Sequence, residues 1–436
     1  MKQDIMKVVL CAAFVVTSCV IDLLGQANFS SKLSEYFEEV SKTTSTHNGL
    51  WNVDLYGPIL LVDPKTRDVF ANERDSSGLL VPGSGIFRGK LPNDINIANT
   101  SIRWNGKHWA MILLPLSANR NERLNLITHE LFHRVQSTLE LNTINTDNNH
   151  LDKEHGRIYL RLELEALRQA IQSPSLDVAF PHIINAMLFR ELRHQMYSDA
   201  DSTENMLELN EGLAEYTGLI MSERSEKQIV KHLMKSIRDF QQNKTFVRSF
   251  AYQTIPLYGF LTSKFIREFW NRDITRQSNL TSYFMRSFNV KIPIDIETYT
   301  SKVWLNYNGA QISREERKRE DDNARLINEM TIRFVKNPHL EIPFERMNVS
   351  FDPGNLIPLE NYGTVYPNLR ITDNWGVLTV TDGALLSADW SKVIVTAPEE
   401  NTNRFARGKG WTLEFNSDKY VIIHDGTSSN YYLRRK

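Results

Sequence analysis

Apolar positions change their spacing three times along the chain, and each change predicts a different kind of element. From about Leu50 to Leu116 the spacing is that of strands: Tyr56 to Val62 is apolar and β-branched, and Asp63-Pro64-Lys65 makes a turn before Asp68 to Ala71. Thr100 to Trp104 and His108 to Leu114 flank Asn105-Gly106, a pair that accepts the positive φ of a tight hairpin turn. From Arg123 to about Phe288 the period becomes helical. Leu124, Ile127, Leu131 and Val135 form one stripe, and Leu160, Leu164, Leu167 and Ile171 form another. Ser313 to Arg325 alternates acidic and basic residues three and four apart, as on a solvated helix or linker. Beyond Pro338, short runs such as Leu369 to Thr372, Val377 to Val380 and Trp411 to Phe415 alternate with turn residues, predicting a β-domain. No repeat recurs at solenoid or propeller spacing.

The predicted architecture is therefore α+β. Residues 28–120 form an N-terminal mixed sheet region, 121–310 a helical domain, 311–338 a charged helix or linker, and 339–436 an all-β domain. Composition is that of an ordinary globular protein. With 51 basic and 52 acidic residues there is no global field to draw the chain onto nucleic acid, and no nucleic-acid partner is expected. Residues 1–27 look like an export signal: Lys2 and Lys7 precede an apolar run, Val8 to Val16, too short to span a bilayer. Val16-Thr17-Ser18-Cys19 resembles a bacterial lipobox, in which Cys19 is lipidated and attaches the protein to a membrane. Gly25 and Ala27 offer ordinary cleavage after Ala27 instead. The location expected is thus exported: an outer-membrane lipoprotein, periplasmic or secreted. Both cysteines, Cys11 and Cys19, fall in this segment, so the body of the chain has no internal disulfide.

The chemistry is concentrated in His129-Glu130-Leu131-Phe132-His133, which lies on the first helical stripe. Two histidines one helical turn apart point the same way and can share one Zn²⁺, while Glu130, about 100° round, sits where it can take a proton from water at the metal. A catalytic zinc needs a third protein ligand and an open position. The metzincin continuation is absent, because Gln136 and Leu139 stand where its Gly and third His belong. A glutamate from a second helix is the remaining common route. Asn210-Glu211-Gly212-Leu213-Ala214-Glu215 supplies two, four apart on one side, so that one can bind the metal and the other can hydrogen-bond a ligating histidine. Glu208 is a rival ligand. On the helix Arg157 to Ile171, Glu163 reads as a satisfied buried carboxylate, and Arg161 and Glu165 as a pair four apart.

His129-Glu130-x-x-His133 together with Asn210-Glu211-Gly212-x-Ala214-Glu215 resembles the gluzincins, the zinc peptidases that include thermolysin and the large zinc aminopeptidases. The resemblance covers the middle of the chain and not its terminal domains. It implies one zinc per chain on His129, His133 and Glu211, Glu130 as general base, Glu215 orienting a histidine, and a peptide or protein substrate cleaved by metal-activated water. It also implies that extended peptide lies along a sheet edge beside the zinc, a role for which His108 to Leu114 is the candidate. Tyr252, in Ser249 to Gly259, is similar to the aminopeptidase tyrosine that donates to the tetrahedral intermediate, although Ile255 replaces the usual glycine three residues on. Pro256 suits the first turn of a following helix, leaving Tyr252 in the loop before it and Tyr258 within it, on another face. The connection from His133 to Glu211 is far longer than in the aminopeptidases, so the chain looks more like an exported bacterial gluzincin than either named type, and substrate does not carry over. A zinc hydrolase of a non-peptide substrate, or a catalytically silent surface binding protein, would retain the same residues. The partner of the β-domain is unknown from sequence.

Overall fold

The computed structural model describes residues 29–436 apart from 48, 93–94, 142–145, 147 and 352–355. The segment read as an export signal, with Cys11, Cys19 and Ala27, lies outside the described residues. The chain divides into two compact units, one ending at Ser313 and one running from Arg314 to Lys436. The division falls inside the charged helix, which is continuous from Gly309 to Thr331. The N-terminal sheet and the helical region belong to the same unit. No helix among the described residues is long and apolar enough to cross a membrane.

The first unit opens with a helix over residues 29–46 (α1) that the strand-like reading of the N-terminal region did not include. Its buried face is Leu33, Tyr36, Phe37 and Val40, a helical spacing, and it joins the core between the sheet and the helix that carries His129 and His133. Six strands follow: β1 (Ile59–Val62), β2 (Asp68–Ala71), β3 (Val81–Gly83), β4 (Ile86–Lys90), β5 (Thr100–Trp104) and β6 (Lys107–Leu113). Their order is β3-β4-β2-β1-β6-β5, with β1 and β6 parallel and the other pairs antiparallel. The Asn105-Gly106 turn is left-handed at both residues, φ 45° and 76°, as a two-residue hairpin requires. One expectation is corrected here. The strand from His108 is interior, hydrogen-bonded on both sides, and the sheet's edges are β3 and β5, the latter next to this strand.

The helices are α2 (Arg120–Val135), α3 (Glu154–Ile171), α4 (Leu176–Met196), α5 (Ala200–Leu207), α6 (Leu213–Met221), α7 (Glu226–Phe240), α8 (Ala251–Phe265), α9 (Leu280–Ser287) and α10 (Ile296–Val303). Asn119 caps α2, its side chain accepting from the backbone N–H of Asn121 and Glu122. The Leu124, Ile127 and Leu131 stripe of α2 is fully buried against Ile59, Leu61, Ala110 and Ile112 of the sheet, which turns the opposite flank of α2 towards α6. Between α5 and α6 the helix is not regular: Glu208–Gly212 is a π-turn, one residue wider than an α-turn. The first turn of α8 contains Tyr252, and Pro256 lies inside that helix, so the placement of Tyr252 in a preceding loop is also corrected.

The second unit is all β beyond the helix end. A seven-stranded and a six-stranded sheet contribute to one core that includes Trp375, Leu378, Val393 and Leu413.

Candidate metal centre

Three side chains from two helices converge at the mouth of α2. His129 and His133, one turn apart, bring their Nε2 atoms within 3.1 Å of each other. Glu211, presented by the π-turn, places Oε2 3.5 Å from the first and 3.3 Å from the second. His129 is buried, and the other two are partly so. The wider turn matters because it swings Glu211 towards α2 while leaving Glu208, three residues earlier, facing the interior.

The outer nitrogens decide what the inner ones are. His129 Nδ1 lies 3.0 Å from Glu215 Oε2, and a carboxylate only accepts, so Nδ1 carries the proton. His133 Nδ1 lies 2.9 Å from Gln136 Oε1. That amide is oriented by its Nε2, which donates to the carbonyls of Leu209 and Asn210, so His133 Nδ1 is also the donor. With those tautomers both Nε2 atoms present lone pairs to each other and to a carboxylate oxygen, an arrangement that a shared cation, or a proton on one histidine, relieves. Ligands about 2.0–2.1 Å from a tetrahedral zinc stand ~3.3–3.4 Å apart, which matches the three separations within a few tenths of an ångström. The same demand for positive charge is seen at His129: burial lowers its proton affinity, but the Glu211 and Glu215 carboxylates raise its pKa to about 10. Glu211 is held well below the usual carboxylate range, the two histidines and Tyr252 outweighing its desolvation. The donor set fits a zinc ion, and His129, His133 and Glu211 form a group that could hold a metal ion.

Glu130 is buried, and among the described residues its Oε2 has no hydrogen-bond partner. Desolvation raises its pKa, against the pull of His129 and His133. It borders an open cleft of about 510 Å³ together with the metal group, Tyr252 and the edge strand β5. Tyr252 donates to Glu211 Oε2 at 2.5 Å, and its ring lies parallel to that of His129 at 5.6 Å. Burial and the nearby Glu211 charge push its pKa up, so the phenol stays a proton donor at neutral pH. Tyr258 points elsewhere and is fully buried, donating to Glu163 at 2.9 Å.

Two supporting shells were only partly visible in the sequence. In the first, Arg224 Nη1 donates to Asn125 Oδ1 at 2.9 Å, Asn125 Nδ2 donates to Glu215 Oε1 at 3.0 Å, and Glu215 holds His129. In the second, Arg190 and Arg193 bind three carboxylates in a fully buried cluster. Arg190 pairs with Glu163 at 2.7 Å and Glu208 at 2.6 Å, and Arg193 with Glu163 at 2.8 Å and Glu204 at 2.7 Å. Thr254 also donates to Glu208, which is thereby committed to the cluster and is not a ligand. Glu163 is the satisfied buried carboxylate the sequence predicted. Glu165 takes its bidentate partner three residues on, from Arg168, at 2.7 and 2.6 Å. A charged residue at a helix-interior position with apolar neighbours was the available signal for Arg190 and Arg193, but their partners are set by tertiary packing.

Comparison of the chain with protein-family models, curated sequences and solved structures finds no match.

Proposed function

We propose that the protein is an exported zinc metallopeptidase, a hydrolase of peptide bonds built on a gluzincin-like ligand set. The observation that carries this is the convergence of His129 Nε2, His133 Nε2 and Glu211 Oε2 beside the unpartnered buried oxygen of Glu130. Held by His129, His133 and Glu211, a zinc ion would supply Lewis acidity, lowering the pKa of water towards ~7 and polarising a carbonyl. Glu130, its proton affinity already raised by burial, takes the proton from the attacking water and later delivers it to the leaving amine. Tyr252, kept protonated, turns its single O–H from Glu211 to the oxygen on which charge develops. Glu215 fixes the tautomer and orientation of His129, and Gln136 does the same for His133. Peptide as substrate is supported by the open edge of β5 on the cleft, whose main-chain groups can pair with an extended chain. Export rests on the basic-then-apolar N-terminal pattern and on the lipobox-like Cys19.

The test is metal analysis with a peptide-library cleavage profile on wild type and on Glu130→Gln. One zinc per chain in both, with turnover only in wild type, is expected. Cleavage by the Gln variant at the wild-type rate, or no zinc in wild type, defeats the proposal.

A further inference from the structure

The wall of the cleft facing the helices carries a charge that the mechanism above does not use. Side chains alternate on β5, so Ile102 and Trp104 pack with Trp109 and Met111 on the far face of the sheet. Ser101 and Arg103 therefore turn to the face covered by α2. On β6, Ala110 and Ile112 pack against α2, which places His108 on that same face. Arg103 and His108 are direct cross-strand partners, and both border the cleft that holds the metal group. Arg103 is exposed and makes no ion pair or side-chain hydrogen bond among the described residues. Burial, with the Arg103 and Arg134 charges, keeps His108 below its ordinary value, so at neutral pH it is an uncharged hydrogen-bonding neighbour.

The rest of the lining sharpens the point. Among the described residues no aliphatic side chain lines this cleft; the sheet side offers Asn99, Thr100 and Ser101 besides Arg103 and His108. The described lining offers an apolar substrate side chain little beyond the Tyr252 ring and, in the adjoining recess, Leu126, whereas a guanidinium presents a forked donor pair suited to a carboxylate. We infer that the preferred substrate carries a carboxylate close to the scissile bond, bound by Arg103 with His108 beside it. This rests on the peptidase reading and narrows it to peptides with a free C-terminus or an acidic side chain at that place.

The experiment separates binding from turnover. Zinc-loaded Glu130→Gln protein, with Arg103 intact or as Arg103→Ala, is titrated by fluorescence anisotropy with three labelled peptides of one length. One is neutral with a free C-terminal acid, one is its C-terminal amide, and one is that amide with a single Asp. With Arg103 intact, an anionic probe is expected to bind about tenfold more tightly than the neutral amide, and in Arg103→Ala less than about twofold. The free acid alone gaining affinity identifies the chain terminus as the source; the Asp amide gaining it identifies the side chain. Equal binding of all three probes, binding of none, or a preference that survives Arg103→Ala and so belongs to the metal, each overturns the inference. Zinc content measured on both proteins excludes a change at the metal group. Absence of turnover in wild type would sink the hydrolase reading while leaving the Arg103-dependent difference standing.

Discussion

Gly218 lies where α6 packs tightly against α2, and replacing it tests whether that approach sets the geometry of the proposed metal group. A Cβ at this position would lie 2.6 Å from the backbone oxygen of Asn125 and 2.7 Å from its Nδ2, where ordinary contact begins at 3.4 Å. The backbone oxygen cannot rotate away, so Gly218→Ala must move α6 and α2 apart by up to 0.8 Å, the difference between 3.4 and 2.6 Å. His129 and His133 ride on α2, while Glu211 and Glu215 lie on and just before α6. Metal–ligand distances tolerate only about ±0.2 Å. The separation also disturbs Asn125, which holds Glu215 and through it His129; loss of such outer partners typically costs ~10–100-fold in metal affinity. Stability of the metal-free protein should change much less. Overpacking costs ~1–3 kcal/mol, and Gly to Ala in a helix returns up to ~1 kcal/mol. The assay is zinc competition against a chromophoric chelator, with melting curves recorded with and without zinc. The expected result is a folded variant whose zinc Kd is weaker by at least tenfold, with a correspondingly smaller zinc-induced rise in Tm. A folded Gly218→Ala protein with wild-type zinc affinity would refute the idea that this helix crossing positions the ligands.

Four further outcomes are expected. Glu211→Ala should lose most of the zinc, whereas Glu208→Ala should keep the ligands but leave Arg190 short of a buried partner and destabilise the fold by ~3–5 kcal/mol; zinc analysis and melting curves on the two variants check this, and zinc leaving only in Glu208→Ala would reverse the ligand assignment. Tyr252→Phe should lower kcat by ~10² with KM and zinc content little changed, and the same loss appearing only in Tyr258→Phe would remove Tyr252 from the mechanism. Desolvation alone would raise Glu204, but Arg193 and His194 hold it well below the ordinary carboxylate value of 4.5. Its contribution to stability is therefore present above pH 4.5 and lost as pH falls through its lower folded value, so Glu204→Gln should show a shallower acid loss of Tm than wild type, and an unchanged slope would exclude this contribution. Membrane fractionation and acyl labelling that vanish in Cys19→Ala would support lipidation, while a wild-type mature N-terminus at Asn28 would decide for the soluble form.

What could be seen in the chain beforehand follows a physical division between local and tertiary information. The α2 stripe was legible because Leu124, Ile127, Leu131 and Val135 repeat at the helical period and are all buried, and the same spacing places two imidazoles on one side. The hairpin was legible because Asn105-Gly106 has few other uses. The helix over 29–46 carried an equally plain spacing in Leu33, Phe37 and Val40, but followed directly on the segment read as an export signal and was grouped with the strands after it. The edge strand was misplaced for a different reason: a hairpin announces two adjacent strands, and which of them meets a third depends on the parallel return of β1 to β6, about which neither strand says anything. Pro256 misled because a proline is better accommodated in a first turn than five residues into α8, where the helix lacks its hydrogen bond to the Tyr252 carbonyl.

The π-turn connects these two kinds of information. Its sequence, Glu208 to Gly212, reads as ordinary helix, and on a regular helix Glu208 and Glu211 would lie about 300° apart, close enough to compete for one metal. They are separated because Glu208 is captured by Arg190 and Thr254 on the interior side while Glu211 is drawn to the histidines and Tyr252 on the other. Gly212 permits it: a Cβ there would meet Ile255 Cγ1 at 2.5 Å, so only glycine lets the widened turn lie against α8. A buried ion cluster seldom improves stability over an apolar core, and specifying one arrangement among alternatives is a use attested for such groups. Here it holds one of two nearby glutamates away from the two histidines, leaving the other free to complete the proposed metal group.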